Sequence, residues 1–197
     1  MEFQDVVRTR RMVRSFAARP IEPATVERIL RNAQRAPSAG FSQGWAFLAL
    51  CGPAETRRYW DAVGPDPSDF AYPHLLDAPL LVVCLSDKTA YLDRYAEPDK
   101  GWTDRDEARW PAPYWDIDTG MAAMLMLLTA VDAGLGALFF GIPPEKIATF
   151  RQTFGVPDRL HPIGTVAVGY PRTDDRPSPS LRRGHRPPAE VVHRGHW

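Results

Sequence analysis

Apolar residues recur along this chain in two rhythms. Phe3, Val6 and Val7 fall on one side of a short helix over 3–11. Val26, Ile29, Leu30 and Ala33 repeat at helical spacing behind Pro23, which suits a first helical turn. Trp45–Cys51 (WAFLALC) is a continuous apolar run of strand length and predicts a buried strand. Residues 53–63 read as a surface helix and 64–73 as a loop. Residues 78–86 (APLLVVCLS) predict a second strand, covered on both faces. Over 116–133, Ile117, Met121, Met124, Leu125, Leu128 and Val131 occupy nearly every side of one helix. A helix apolar all round is buried in a core or at a dimer interface. Gly134 and Gly136 end it. A third strand follows over 137–142, then a helix over 143–154 capped by Gly155, then a fourth strand over 163–169.

Two stretches keep no rhythm. Residues 89–115 are polar and aromatic, with Tyr91, Tyr95, Trp102, Trp110, Tyr114 and Trp115 crowded together. A loop of that length inside a compact domain is functional more often than not, and an active-site lid is the expected role. Residues 171–197 are rich in proline and arginine and predict an arm laid on another surface. Within that arm, 190–193 could pair as an edge strand on a partner subunit. One domain over 1–197 accounts for the whole pattern.

Composition narrows the classes. The chain carries 24 Lys+Arg against 24 Asp+Glu, so no global field favours nucleic acid or an acidic membrane. Lysine stands only at 88, 100 and 146, and arginine is the better phosphate fork. Cys51 and Cys84 sit in the apolar runs and read as buried small hydrophobes, with no metal site. The N-terminus shows no apolar leader, which points to the cytoplasm. The longest apolar run, 120–131, is too short to span a bilayer.

Two constellations carry candidate chemistry. Arg8, Arg10, Arg11 and Arg14 gather in one short segment, either as a solvated helix end or around a shared phosphate. Arg182, Arg183 and Arg186 in the arm could complete such an anion site. The second constellation is RAPSAGFSQGW, residues 35–45. Proline, serine and glycine stop the preceding helix at Ala36 and impose a tight, exposed turn. Such a turn points N–H groups and the Gln43 amide into open space, which suits a planar, polar-edged ligand.

The segments RRMVRSF at 10–16 and APSAGFSQGW at 36–45, followed by APLLVVCLS, a long helix ending GLG, VAVGYP and an RP-x-x-EVV tail, together resemble the nitroreductase family of FMN-dependent oxidoreductases. The resemblance spans essentially the whole chain. It implies an α+β three-layer sandwich, a mixed central sheet flanked by helices, in an intertwined homodimer with FMN at the interface. On these positions it assigns Arg10, Arg11, Met12 and Arg14 to the FMN phosphate and ribityl chain. Pro37, Ser38, Ala39 and Gln43 fall beside the isoalloxazine ring, and Phe140 and Gly141 at a strand end meeting it. Arg186, or Arg183, closes on the phosphate. Phe41, Tyr91, Tyr95, Trp102 and Trp110 are the expected substrate contacts.

Four positions depart from the family pattern. Met12 replaces a serine, Phe41 an asparagine, Gly44 a proline, and Met124-Leu125 a Gln-Asn pair. The G-F-x-Q-x-W form resembles the subgroup that destroys FMN to make dimethylbenzimidazole. That subgroup's aspartate and serine are absent here, at Met12 and Gly141. The expected activity is ping-pong electron transfer from NADH or NADPH (or a deazaflavin) through FMN to a small aromatic acceptor. The chemistry belongs to the flavin, with no side-chain nucleophile. The alternatives are a biosynthetic flavin dehydrogenase or oxidase using oxygen, and a flavin- or partner-binding protein without turnover.

Overall fold

The computed structural model describes residues 1–65 and 70–197. Residues 66–69 of the expected 64–73 loop lie outside the described residues. Among the described residues the fold has six α-helices and one four-stranded sheet: α1 (Phe3–Thr9), α2 (Pro23–Ala33), β1 (Trp45–Cys51), α3 (Gly52–Val63), β2 (Leu80–Asp87), α4 (Lys88–Ala96), α5 (Tyr114–Asp132), β3 (Gly136–Phe140), α6 (Ile147–Phe154) and β4 (Leu160–Gly169). The strand order is β1-β2-β4-β3.

Every strand pair is antiparallel, where a mixed sheet was expected. Among the described residues the one parallel contact is an isolated bridge between Met12 and Ala137. A continuous apolar run reports cover on both faces and says nothing of strand direction. β2 is that run, buried at all eight positions. Its side chains alternate between two cores. Leu80, Val82 and Cys84 pack with Ile29 and Ala33 of α2 and Ala122, Ala123 and Met126 of α5. Leu81, Val83 and Leu85 pack with Tyr59, Ala62 and Val63 of α3 and Phe150 of α6. The period-two alternation of one strand thus builds the three layers. Burying each such side chain is worth about 1.5–3 kcal/mol.

β1 is an edge strand, half-buried over most of its length, where a buried strand was expected. Cys51, its last residue, is exposed, whereas Cys84 is buried as expected.

The central helix departs from its expectation in an informative way. α5 turns its small residues inward: Thr119, Ala122, Ala123 and Ala130 face the sheet, with Met126 and Leu127. Its bulky apolar residues Ile117, Met121 and Met124 are 44%, 37% and 45% exposed. α1 packs against α5 and leaves Phe3 and Val7 exposed beside them.

The segment over 89–115 is not all loop. Its first part is α4, whose N-cap Asp87 accepts from the Ala90 N–H. α4 buries only Tyr91, so its sequence shows no apolar stripe. Every residue over 179–197 is exposed. In the single chain residues 190–193 form no strand. A 3₁₀ turn (Pro188–Glu190) forms beside them, and Pro187 and Pro188 bring no N–H to a ladder.

Candidate functional site

The turn after α2 has a strained backbone. Gly40, Phe41 and Gln43 all have positive φ, at 62°, 57° and 49°. Only glycine adopts that region freely, so Phe41 and Gln43 are held there by their surroundings. Four contacts hold them. The Ser38 hydroxyl oxygen accepts from the Gln43 N–H at 3.0 Å. The Ser42 hydroxyl donates to the Ala39 carbonyl at 2.7 Å. Arg94 Nε donates to the Gly40 carbonyl at 2.9 Å. Asp118 Oδ2 accepts from the Ala39 N–H at 2.8 Å, reaching up from the buried side of α5.

This corrects one expectation. The N–H groups of Ala39 and Gln43 are spent on bracing the turn and do not point into open space. What remains outward is the exposed surface of Pro37, Phe41 and Gln43.

α4 lies directly on this turn. A Cβ on Gly44 would approach Tyr91 Cε2 to 2.5 Å and the Asp87 carbonyl to 2.8 Å. A Cβ on Gly40 would approach Tyr95 Cε2 to 2.6 Å. Glycine stands at 44, where the family pattern has proline, because the Tyr91 ring fills that space. Tyr91 is fully buried, so it belongs to the scaffold, and its expected substrate contact is corrected. Its hydroxyl donates to Asp118 Oδ2 at 2.8 Å. Burial, and then that hydrogen bond, push its pKa well above the tyrosine range.

Tyr95, Trp102 and Trp110 remain half-buried. Trp110 is the hub of the aromatic cluster. Its ring meets Tyr95 at 4.6 Å, Trp102 at 5.6 Å, Tyr114 at 5.7 Å, Tyr91 at 5.9 Å and Trp115 at 6.1 Å. The aromatic rings of 91–115 therefore pack chiefly on one another and on the turn.

The arginine segment runs extended beside β3 and the chain leaving β4. Val13 N–H donates to the Ala137 carbonyl at 3.0 Å, and Ala17 N–H to the Tyr170 carbonyl at 2.9 Å. Asp175 binds this arm from the chain after β4. Its carboxylate is 1% exposed. It accepts from the Arg14 N–H at 2.8 Å, the Ser15 N–H at 2.9 Å and the Arg11 guanidinium. Arg11 is thereby paired with a buried carboxylate. Arg10 and Arg14 are half-buried, and no ion pair among the described residues engages them. Arg14 lies 5.6 Å from the Tyr72 ring. Met12 is half-buried and packs against both cores, so its side chain serves the fold here.

Phe140 stacks on Trp60 at 5.5 Å and 10°. Gly141 is exposed, and a Cβ there would meet nothing within 4 Å. Arg183 and Arg186 are exposed, and Arg186 bonds Glu190 at 3.2 Å within the arm. Among the described residues no hydrogen bond or ion pair links the arm's two arginines, or the turn over 37–44, to Arg10 and Arg14. A cavity of about 990 Å³ opens elsewhere, around Cys51, Arg57, Trp60 and Pro79. It touches none of the expected site residues.

Asp118 and Asp175 were missed in the sequence. Asp118 had a weak signal, as a carboxylate on an otherwise apolar helix just after Asp116; Asp175, among polar neighbours, had none.

The family model of the nitroreductase family matches residues 7–170. The chain belongs to the nitroreductase family, a class of NAD(P)H-dependent oxidoreductases. A Thermus thermophilus protein named NADH dehydrogenase is 30% identical over 204 residues, covering 93% of this chain and 90% of its own. A Staphylococcus epidermidis NADPH-dependent oxidoreductase is 23% identical over 181 residues, covering 90% of this chain and 68% of its own. A nitroreductase family protein of Clostridium difficile has a TM-score of 0.70 at 23% identity, with 100% of both chains covered. One from Streptococcus pneumoniae has a TM-score of 0.72 at 19% identity, covering 98% and 99%. The two structures bear out the nitroreductase-like sandwich.

Proposed function

We propose that this chain is an FMN-dependent oxidoreductase, acting as a homodimer in the cytoplasm on a small, planar, aromatic acceptor such as a quinone or nitroaromatic. The observation that carries it is the division of labour in the arginine segment. Arg11 is paired with Asp175, while Arg10 and Arg14 are half-buried residues whose guanidinium groups meet no carboxylate among the described residues. Two such forks fit one terminal phosphate. The sequence has no G-x-G-x-x-G turn for a dinucleotide, which favours FMN over FAD.

The donor set therefore fits FMN. Arg10 and Arg14 would hold its phosphate, with Arg186 or Arg183 of an arm closing over it. The turn at Pro37, Ser38, Ala39 and Gln43 would flank its ring, with Phe140 and Gly141 at a strand end. When bound, FMN supplies hydride and electron transfer from NADH or NADPH to the acceptor in two half-reactions sharing one slot. The chain's own part is to anchor, orient and cover. Phe41, Tyr95, Trp102 and Trp110 line the side open to an acceptor.

The homodimer reading rests on the outward Ile117, Met121 and Met124 of α5 and on an arm exposed at every position over 179–197. A second copy would join the turn of one subunit to the arginines of the other.

The test is extraction of the cofactor from purified protein, with steady-state oxidation of NADH and NADPH against quinones and nitroaromatics. FMN with turnover supports the reading. Recovery of FAD, or no flavin after reconstitution with excess FMN, overturns it.

A further inference from the structure

Asp118 is an unusual residue for its place. It sits in the most apolar helix of the chain and is 2% exposed. Among the described residues no arginine, lysine or histidine pairs with it. A buried carboxylate without a cation is costly and persists only where hydrogen bonds compensate it. Two donors do so, and both converge on the same oxygen. The Ala39 N–H and the Tyr91 hydroxyl each lie 2.8 Å from Oδ2. Asp118 thus joins three elements at one atom: the central helix, the strained turn and α4. The same tyrosine fills the space above Gly44 that a side chain there would need.

We propose that Asp118, with Tyr91, is the positioning residue that fixes the turn over 37–44 in its flavin-flanking shape. This rests on the FMN reading above. Phe41 and Gln43 have left-handed backbone conformations on either side of Ser42. The bonds through Ser38, Ala39 and Ser42 stay within the turn and can move with it. Asp118 ties the turn to α5, and Arg94 ties it to α4. Asp118 does so from the rigid side, because Thr119, Ala122 and Ala123 hold α5 against the sheet. It acts through the backbone of Ala39 and through Tyr91, so it shapes the site without touching the ligand.

The chemistry of the two bonds sets the test. Both fall on one oxygen, so asparagine can keep both and lose only the charge. Asp118→Ala loses both bonds, and Tyr91→Phe loses one. Each variant is compared with the wild type in FMN titration, in the visible band shape of bound flavin, and in amide hydrogen exchange at 39–44. Wild-type protein that binds no FMN overturns the flavin reading, and this inference with it. Given wild-type binding, Asp118→Ala is expected to weaken FMN by about tenfold or more. It should also alter the flavin band shape and speed exchange across the turn. Tyr91→Phe should do the same to a smaller degree, and Asp118→Asn should restore wild-type values. Folded Asp118→Ala with unchanged band shape, affinity and exchange overturns the inference alone. So does Asp118→Asn that behaves like Asp118→Ala. Should Asp118→Ala fail to fold, Tyr91→Phe decides by the same readouts.

Discussion

Arg11 places its guanidinium on Asp175, across 164 residues of sequence, and that carboxylate is almost wholly withdrawn from water. The same carboxylate receives the backbone N–H groups of Arg14 and Ser15. One aspartate therefore fixes the path of the arginine segment while removing one of its charges. Arg10 and Arg14 have no carboxylate partner among the described residues.

Arg11 and Arg14 should therefore separate by experiment. Arg14→Ala should weaken FMN by about 1.5–3 kcal/mol, the range for a lost charged hydrogen bond. Arg11→Ala should change FMN affinity little. Asp175→Ala leaves two backbone donors unanswered and should cost about 1–3 kcal/mol of stability in the flavin-free protein. Fluorescence titration of apoprotein and urea unfolding give the two quantities. Equal loss of affinity in Arg11→Ala and Arg14→Ala would refute the division.

Much of this was legible in the sequence. β2 announced itself by an unbroken apolar run, and α2 by a repeat at helical spacing. The turn was placed by its proline and glycines. Its bracing was not, because it depends on partners far along the chain: Tyr91 is 27 residues from Asp118, and Ala39 is 79. α4 stayed hidden because one buried tyrosine makes no stripe. Sheet direction stayed hidden because β2 is covered on both faces. The α5 pattern was read as a helix buried on nearly every side, whereas in the single chain its bulky residues Ile117, Met121 and Met124 face outward. Which residues face the sheet is decided by size, since only small ones let the helix approach it.

That outward face yields a second prediction. Ile117, Met121 and Met124 follow one another at helical spacing, so a charge among them should block association without disturbing the inward alanines. Met124→Glu should sediment as a monomer and lose FMN together with the dimer. Wild-type protein sedimenting as a flavin-loaded monomer at micromolar concentration would contradict the interface reading.

Alkaline pH gives a third. Burial raises the pKa of Tyr91 and of Tyr59 above the ordinary value of 10.0. The folded state then holds protons that the unfolded chain has released. Stability is complete below about pH 10 and falls as pH rises beyond it, because the unfolded state binds fewer protons there. Unfolding free energy measured from pH 8 to 11.5 (about one and a half units past the tyrosine value) should show this decline. The decline should be shallower in Tyr91→Phe. A slope equal in both proteins would mean that Tyr91 ionises as freely in the fold as outside it.

Phe41 gives the last. It is 73% exposed and has a φ of 57°, so the turn carries an aromatic side chain in a backbone state that disfavours it. A left-handed conformation costs a non-glycine residue about 1–2 kcal/mol. Glycine would relieve that cost, against about 0.5–1 kcal/mol of added chain entropy. A residue kept there for the fold would lower stability when removed. Phe41→Gly should leave thermal stability of the flavin-free protein unchanged or raise it. The same variant should raise the acceptor KM by roughly two- to tenfold, as expected for a lost aromatic contact. FMN affinity, which the proposed reading assigns to Arg10 and Arg14, should stay near the wild-type value. Stability and substrate capture then move apart in one substitution, which a purely structural phenylalanine cannot produce. A KM unchanged across quinones and nitroaromatics, with a lower melting temperature, would place Phe41 in the scaffold and remove it from the acceptor site.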